Sequence, residues 1–186
     1  MSGVLRLFIA VYPPPAIAAA CRDLVACLAT DHALPPHRLT PVEQVHLTVQ
    51  FIGDTPVREL DRVRESLVRS ASGLAGWTLT PGCLRVLPTP DRPRLLAVET
   101  DCPAALAELK RRLVTRFARR TRRGRDHAFV PHLTVLRFRG APPPIEPWHD
   151  PLAIDAFPCS AVCLMRSTLL PGGARHEEVE RVALTG

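Results

Sequence analysis

Apolar residues along the chain alternate between two periods, and the switches between them mark its elements. Leu5 to Val11 is an apolar run broken only by Arg6, as in a buried strand, and Pro13-Pro14-Pro15 ends it. Ile17, Cys21, Leu24, Val25 and Leu28 then recur at helical spacing, predicting an amphipathic helix over 14–29. Residues 45–52 read as a strand stopped by Gly53-Asp54. Thr55-Pro56 has the form of a helix start, and that second helix turns Leu60, Val63, Leu67 and Ala71 inward. Short strands follow at 77–80, 84–87 and 95–100. Asp101 is the expected cap of a third helix whose apolar stripe is Leu106, Leu109, Leu113 and Phe117. Another strand is predicted at 129–138, then a proline-rich loop at 141–151, then closing strands at 152–157, 159–168 and 176–184.

This order is not a regular βαβ alternation, so it predicts an α+β fold with antiparallel sheets. At 186 residues the chain has room for one domain or two small packed lobes. Such a length buries about 70% of the unfolded surface, so no disulfide or metal staple is required.

One tetrapeptide recurs. His46-Leu47-Thr48-Val49 returns as His132-Leu133-Thr134-Val135, each inside a strand-like run that ends at a glycine, Gly53 or Gly140. Side chains alternate along a strand, so His46 and Thr48 share one face while Leu47 and Val49 take the other, and the second copy repeats this. Each strand buries two aliphatics and presents an imidazole and a hydroxyl. Two such strands facing each other across a cleft would assemble two histidines and two hydroxyls. Zinc would want a third protein ligand, and Glu43 is the only acid within three residues of either histidine. A Ser-His-Asp arrangement would want a nucleophilic serine, and no G-x-S-x-G elbow is present. A matched histidine pair suits a reaction that takes one proton and supplies another near neutral pH.

Charge sharpens the picture. The net charge is +6, yet the stretch from Lys110 to Arg125 alone holds nine bases and no acid. The remainder carries 15 bases against 18 acids, so the positive charge is local. A local basic face is expected where a polyanion such as an RNA backbone is bound, although cations on a solvated helix face would read the same way. The six cysteines contain no C-x-x-C pair and fit no zinc module, which predicts reduced, mostly buried thiols in a cytoplasmic protein. No apolar run reaches membrane-spanning length, and Arg6 with the triple proline leaves no signal-peptide core.

The two motifs and their flanks resemble the 2H phosphoesterases, specifically the RNA 2′,3′-cyclic phosphodiesterases also described as 2′-5′ RNA ligases. HLTVQFIG from His46 to Gly53 is similar to that family's first motif, and FVPHLTVLR from Phe129 to Arg137 to its second. Leu7-Phe8-Ile9-Ala10 looks like its opening strand, and Arg166-Ser167 with Leu170-Pro171-Gly172-Gly173-Ala174-Arg175 like its closing hairpin. The chain departs where the family commonly has tyrosine, at Met165 and His176, and where it commonly has lysine, at Gln50.

The resemblance implies a single domain over residues 1–186, bilobal, with two pseudo-symmetric antiparallel sheets, helices packed outside and a central cleft. It implies hydrolysis of RNA or nucleoside 2′,3′-cyclic phosphate ends to 2′-phosphomonoesters, with no metal or other cofactor. His46 would be the acid and His132 the base. Thr48 and Thr134 would hold non-bridging oxygens, Arg137 would face the developing charge, and Phe51 would be a platform for the terminal base. A monomer acting on RNA ends or cyclic nucleotides is expected. The reverse ligation uses the same residues, and a non-catalytic RNA-end binding module is the remaining alternative. Arg137 and Phe51 each stand five residues past a histidine, so strict alternation puts both on the wrong face. Either a bulge follows each H-x-T, or these side chains reach round a strand end.

Overall fold

A computed structural model describes residues 3–118, 129–148, 152–170 and 173–186. Its strands in chain order are β1 (Val4–Val11), β2 (His37–Leu39), β3 (Leu47–Pro56), β4 (Trp77–Leu79), β5 (Pro81–Thr89), β6 (Arg92–Thr100), β7 (His132–Phe138), β8 (Phe157–Cys159), β9 (Ala161–Leu170) and β10 (Gly173–Ala183). The helices are α1 (Pro15–Asp31), α2 (Leu60–Ala71) and α3 (Ala104–Phe117). The fold is α+β with two antiparallel sheets, one large and one small. The large sheet runs β10-β9-β1-β3-β7-β6-β5, with β2 added to β7, and β4 and β8 form the small one.

The two motif strands are neighbours in the large sheet rather than facing strands of separate sheets. They meet at one ladder pair, Leu47 with Leu133. That thin seam joins β10-β9-β1-β3 to β7-β6-β5, and β2 pairs with β7 just beyond it, setting Arg38 opposite Arg137.

Alternation along β1 shows how the sheet is covered. Leu7, Ile9 and Val11 enter the main core with Cys21 and Val25 of α1, Val63 and Leu67 of α2, and Leu106, Leu109 and Leu113 of α3. Phe8 and Ala10 join Cys163 and Met165 in a separate small cluster edged by Tyr12. The second cluster floors the open face, where the motif histidines stand. Burial on both faces explains why β1 reads as an apolar run interrupted only at Arg6.

Two helix starts differ from the sequence-based expectation. β3 continues through Gly53, at φ +84°, to Pro56, so Thr55 lies inside a strand and its hydroxyl donates to the Gly53 carbonyl at 3.2 Å. A 3-10 turn then leads to α2. Asp101 does not cap α3; its carboxylate accepts from the Thr80 amide at 2.7 Å, tying the end of β6 to the loop after β4. Both residues are good caps in isolation, and sheet hydrogen bonding claims them instead. Cys27 and Cys102 are exposed, so the thiols are less uniformly buried than expected.

The expected bulges are present, one directly after each H-x-T, and β3 has a further irregularity at Ile52, beyond Phe51. Across β1 and β3 the ladder passes from Thr48 to Gln50, leaving Val49 without a partner. Across β6 and β7 it passes from Thr134 to Leu136, leaving Val135 without one. Each extra residue reverses the later alternation, bringing Phe51 and Arg137 to the face of the histidines. Each bulge is also capped from outside. The Val135 carbonyl accepts from the Thr40 amide at 2.7 Å. The Val49 carbonyl accepts from the Lys110 ammonium at 2.8 Å, and the same ammonium bonds the Gln50 side chain at 2.9 Å.

Lys110 therefore points into the fold, not to solvent, and burial lowers its pKa. Lys110→Met should leave the Val49 carbonyl and the buried Gln50 amide without this donor, costing about 1–3 kcal/mol. Urea denaturation checks this; an unchanged midpoint would mean that the bulge holds without the ammonium.

Candidate active site

The antiparallel seam does most of the assembly. Continuing the Leu47–Leu133 register by one residue each way sets His46 against Thr134 and His132 against Thr48. Both histidines precede an inward leucine, so the seam places two imidazoles and two hydroxyls on one face, with the histidines on a diagonal.

Both rings are locked alike. His46 Nδ1 donates to the Gln44 carbonyl and His132 Nδ1 to the Val130 carbonyl, each at 2.7 Å and each two residues upstream. A carbonyl only accepts, so this bond fixes the Nδ1–H tautomer and leaves Nε2 as the nitrogen that exchanges protons. The Thr48 hydroxyl donates to His46 Nε2 at 3.1 Å. His37 makes the same local bond, to Pro35, yet lines no part of the site, so the lock alone does not mark a functional histidine.

His46, Thr48, Phe51, Thr134 and Arg137 line one cavity of about 380 Å³ with Arg6, Phe8, Arg38, Gln44, Ser167, Leu169 and His176. His132 lies outside that lining, two residues before Thr134, and its charge reaches His46. No carboxylate lines the cavity among the described residues, whereas three arginines do. Phe51 is 46% exposed, so it is not a core phenylalanine, and the Arg6 guanidinium stands 5.0 Å from its ring centre. Like-charged Arg38 and Arg137 face each other across β2 and β7, an arrangement that an anion between them would relieve. A side chain at Gly173, where φ is +123°, would collide with the Arg38 guanidinium.

Burial drives the His46 pKa down to about 4, the Gln44 bond opposes this, and His176, Arg137 and His132 add to the depression. His46 thus rests neutral at pH 7. His176 is also held below the ordinary histidine value, by burial and by Arg137. Among the described residues, no group of three or more His, Cys, Asp and Glu gathers as metal ligands would.

A family model described as the 2′-5′ RNA ligase superfamily matches residues 7–169, taking in both motifs. The chain belongs to that superfamily, a group of 2H phosphoesterases. It is 27% identical over 192 residues to an RNA 2′,3′-cyclic phosphodiesterase of Thermus thermophilus, covering 98% of this chain and 91% of the relative. A protein of the same name from Methanothermobacter thermautotrophicus is 27% identical over 148 residues, covering 74% and 77%. Among solved structures, a Thermus thermophilus protein superposes with TM-score 0.79 at 25% identity, covering 96% of this chain and 97% of that one. Apo E. coli LigT gives 0.78 at 23% identity, covering 98% and 99%.

In this superfamily member the sequence-predicted His46, Thr48, Phe51, Thr134 and Arg137 come together, with His132 beside them. Sequence reasoning missed Arg6, Arg38 and His176 as parts of the site. Arg6 alternates with Phe8, which was a usable signal; nothing local marks Arg38, and His176 stood out only as a departure from the family's tyrosine.

The basic run divides. Arg112 donates to Glu108 and to the carbonyls of Ser70 and Ser72, joining α3 to α2, and Arg111 also pairs with Glu108. Lys110 and Arg112 therefore hold the fold together, whereas Arg116 is exposed. Arg119, Arg120, Arg122, Arg123 and Arg125 lie outside the described residues. No helix among the described residues is long and apolar enough to cross a membrane.

Proposed function

We propose that the chain hydrolyses 2′,3′-cyclic phosphates at RNA ends or on nucleosides, giving 2′-phosphomonoesters. The observation that carries this reading is the diagonal histidine pair at the Leu47–Leu133 seam, with matched Nδ1 locks, beside a cavity lined by three arginines and, among the described residues, no carboxylate. The names of the two relatives support it. So does the E. coli LigT structure described as a complex with 3′-AMP, a nucleotide-sized ligand.

In the reaction, a water oxygen attacks phosphorus and gives its proton to His132 Nε2. The P–O3′ bond breaks, and O3′ takes a proton from His46 Nε2. Thr48 and Thr134 hydroxyls donate to the non-bridging oxygens, and Arg137 opposes the charge that builds there. Because His46 rests neutral, acting as the acid requires it to take up a proton as substrate enters, which a phosphate anion beside the ring favours. Phe51 offers a face for the terminal base, and Arg6 and Arg38 add to the attraction for an anionic strand.

Incubation with nucleoside 2′,3′-cyclic phosphates in excess chelator tests the reading. Turnover is expected to persist, with the 2′-phosphate as product. Formation of the 3′-phosphate, or activity only after one metal is restored, would overturn it.

A further inference from the structure

His176 stands in β10, opposite Ser167 of β9, on the face that floors the site. Its ring meets His46 at 5.1 Å between centres and 79° between planes, and meets Phe8 at 4.8 Å and 67°. Phe8 and His46 are tilted by only 34° to each other, 5.0 Å apart, so His176 stands steeply against both. Tyr12 approaches His46 at 5.4 Å, completing an aromatic collar. Among the described residues the buried His176 Nδ1 has no hydrogen-bond partner, so ring contacts seat this side chain. It lines the active cavity and also a neighbouring one of about 410 Å³.

We propose that His176 is a positioning residue for His46, steadying the ring that aims Nε2 at the scissile bond and governing how readily that ring takes a proton. The Gln44 bond fixes which nitrogen carries hydrogen, but neither it nor the Thr48 bond to Nε2 bears on the ring faces and so fixes the tilt. Contact from Phe8, Tyr12 and His176 does. An imidazole in this place also titrates, which a purely apolar ring would not. Two imidazoles at this separation in a partly buried site repel when both are protonated, so their titrations are coupled.

The surrounding cations act in the same direction. Arg137, Arg38 and Arg6 face the pair from the active cavity, and His132 lies nearby. On the other side Glu43, Glu178 and Arg181 line the neighbouring cavity with Tyr12. Arg181 binds Glu178 at 2.7 Å, so the charge of that carboxylate is largely met, and Glu43 stands apart from this pair. Burial weighs most on the proton balance of His46, and the charged neighbours that add to it are His176, Arg137 and His132 rather than any acid.

This inference rests on His46 belonging to the catalytic pair, but its main test does not require turnover. In ¹⁵N-imidazole NMR titrations His46 is expected to lose its second proton near pH 4 in the wild type. In His176→Phe, which keeps a ring and removes the competing proton site, it should do so at higher pH. The acid limb of kcat/KM should move the same way, because the more acidic histidine sets that limb. His176→Ala, which also removes the ring contact, should lower kcat about 10- to 100-fold with little change in KM. His176→Phe should restore most of that loss. A His46 titration identical in wild type and His176→Phe would overturn the assignment, as would full kcat in a folded His176→Ala. If His46→Ala keeps full activity, the proposed function fails while the NMR comparison still stands.

Discussion

His46→Ala and His132→Ala should each reduce turnover of a nucleoside 2′,3′-cyclic phosphate by about 10²–10⁴-fold, the range for losing a general acid or base. Product binding should weaken far less, because Thr48, Thr134, Phe51 and Arg137 stay in place on the same face. The two losses should not add. Once one proton transfer is disabled, removing the other has little left to slow, so the double variant should resemble the weaker single one. Steady-state kinetics with equilibrium binding of a 2′-nucleotide separates these effects. Neither imidazole belongs to the main core cluster, so His132→Ala should hardly change thermal stability, whereas His46→Ala also empties the collar of Phe8, Tyr12 and His176 and should lower it modestly. Full activity in either variant would remove the histidines from the mechanism.

Arg137→Met should be the next most damaging change, lowering kcat/KM by about 10²–10³-fold, as for loss of a donor to developing charge. The bulge at Val135 turns this guanidinium onto the reacting face, and the capped carbonyl at that bulge keeps it there. Removing it would also relieve the like-charge contact with Arg38, so the folded protein should not lose stability. Arg137→Lys should recover only part of the rate, because an ammonium lacks the planar fork that spans two phosphate oxygens. A variant that lost stability and activity in proportion would assign Arg137 to the fold instead.

Local information in the chain settled a great deal. Strand alternation told which face of each H-L-T-V carries the imidazole and hydroxyl, because side-chain direction along a strand depends only on the residue's own segment. The stripe Leu106, Leu109, Leu113 and Phe117 is buried throughout, as its helical period required. The conflict at Phe51 and Arg137 was itself legible, since five residues is an odd step, and a bulge in each strand resolves it.

Only the tertiary structure decided which strands are neighbours. The Leu47–Leu133 pair joins residues 86 positions apart, and no local period encodes that choice. The same limit hid Arg38, which reaches the site because β2 pairs with β7, and His176, which reaches it through β9 and β1. It also reversed two expected caps and turned Lys110 inward, since a hydroxyl, carboxylate or ammonium bonds whichever partner the packed chain brings closest. The sequence determined the chemistry each strand could present. The long-range pairing of strands, fixed by burying both aliphatic faces at once, determined where that chemistry converges.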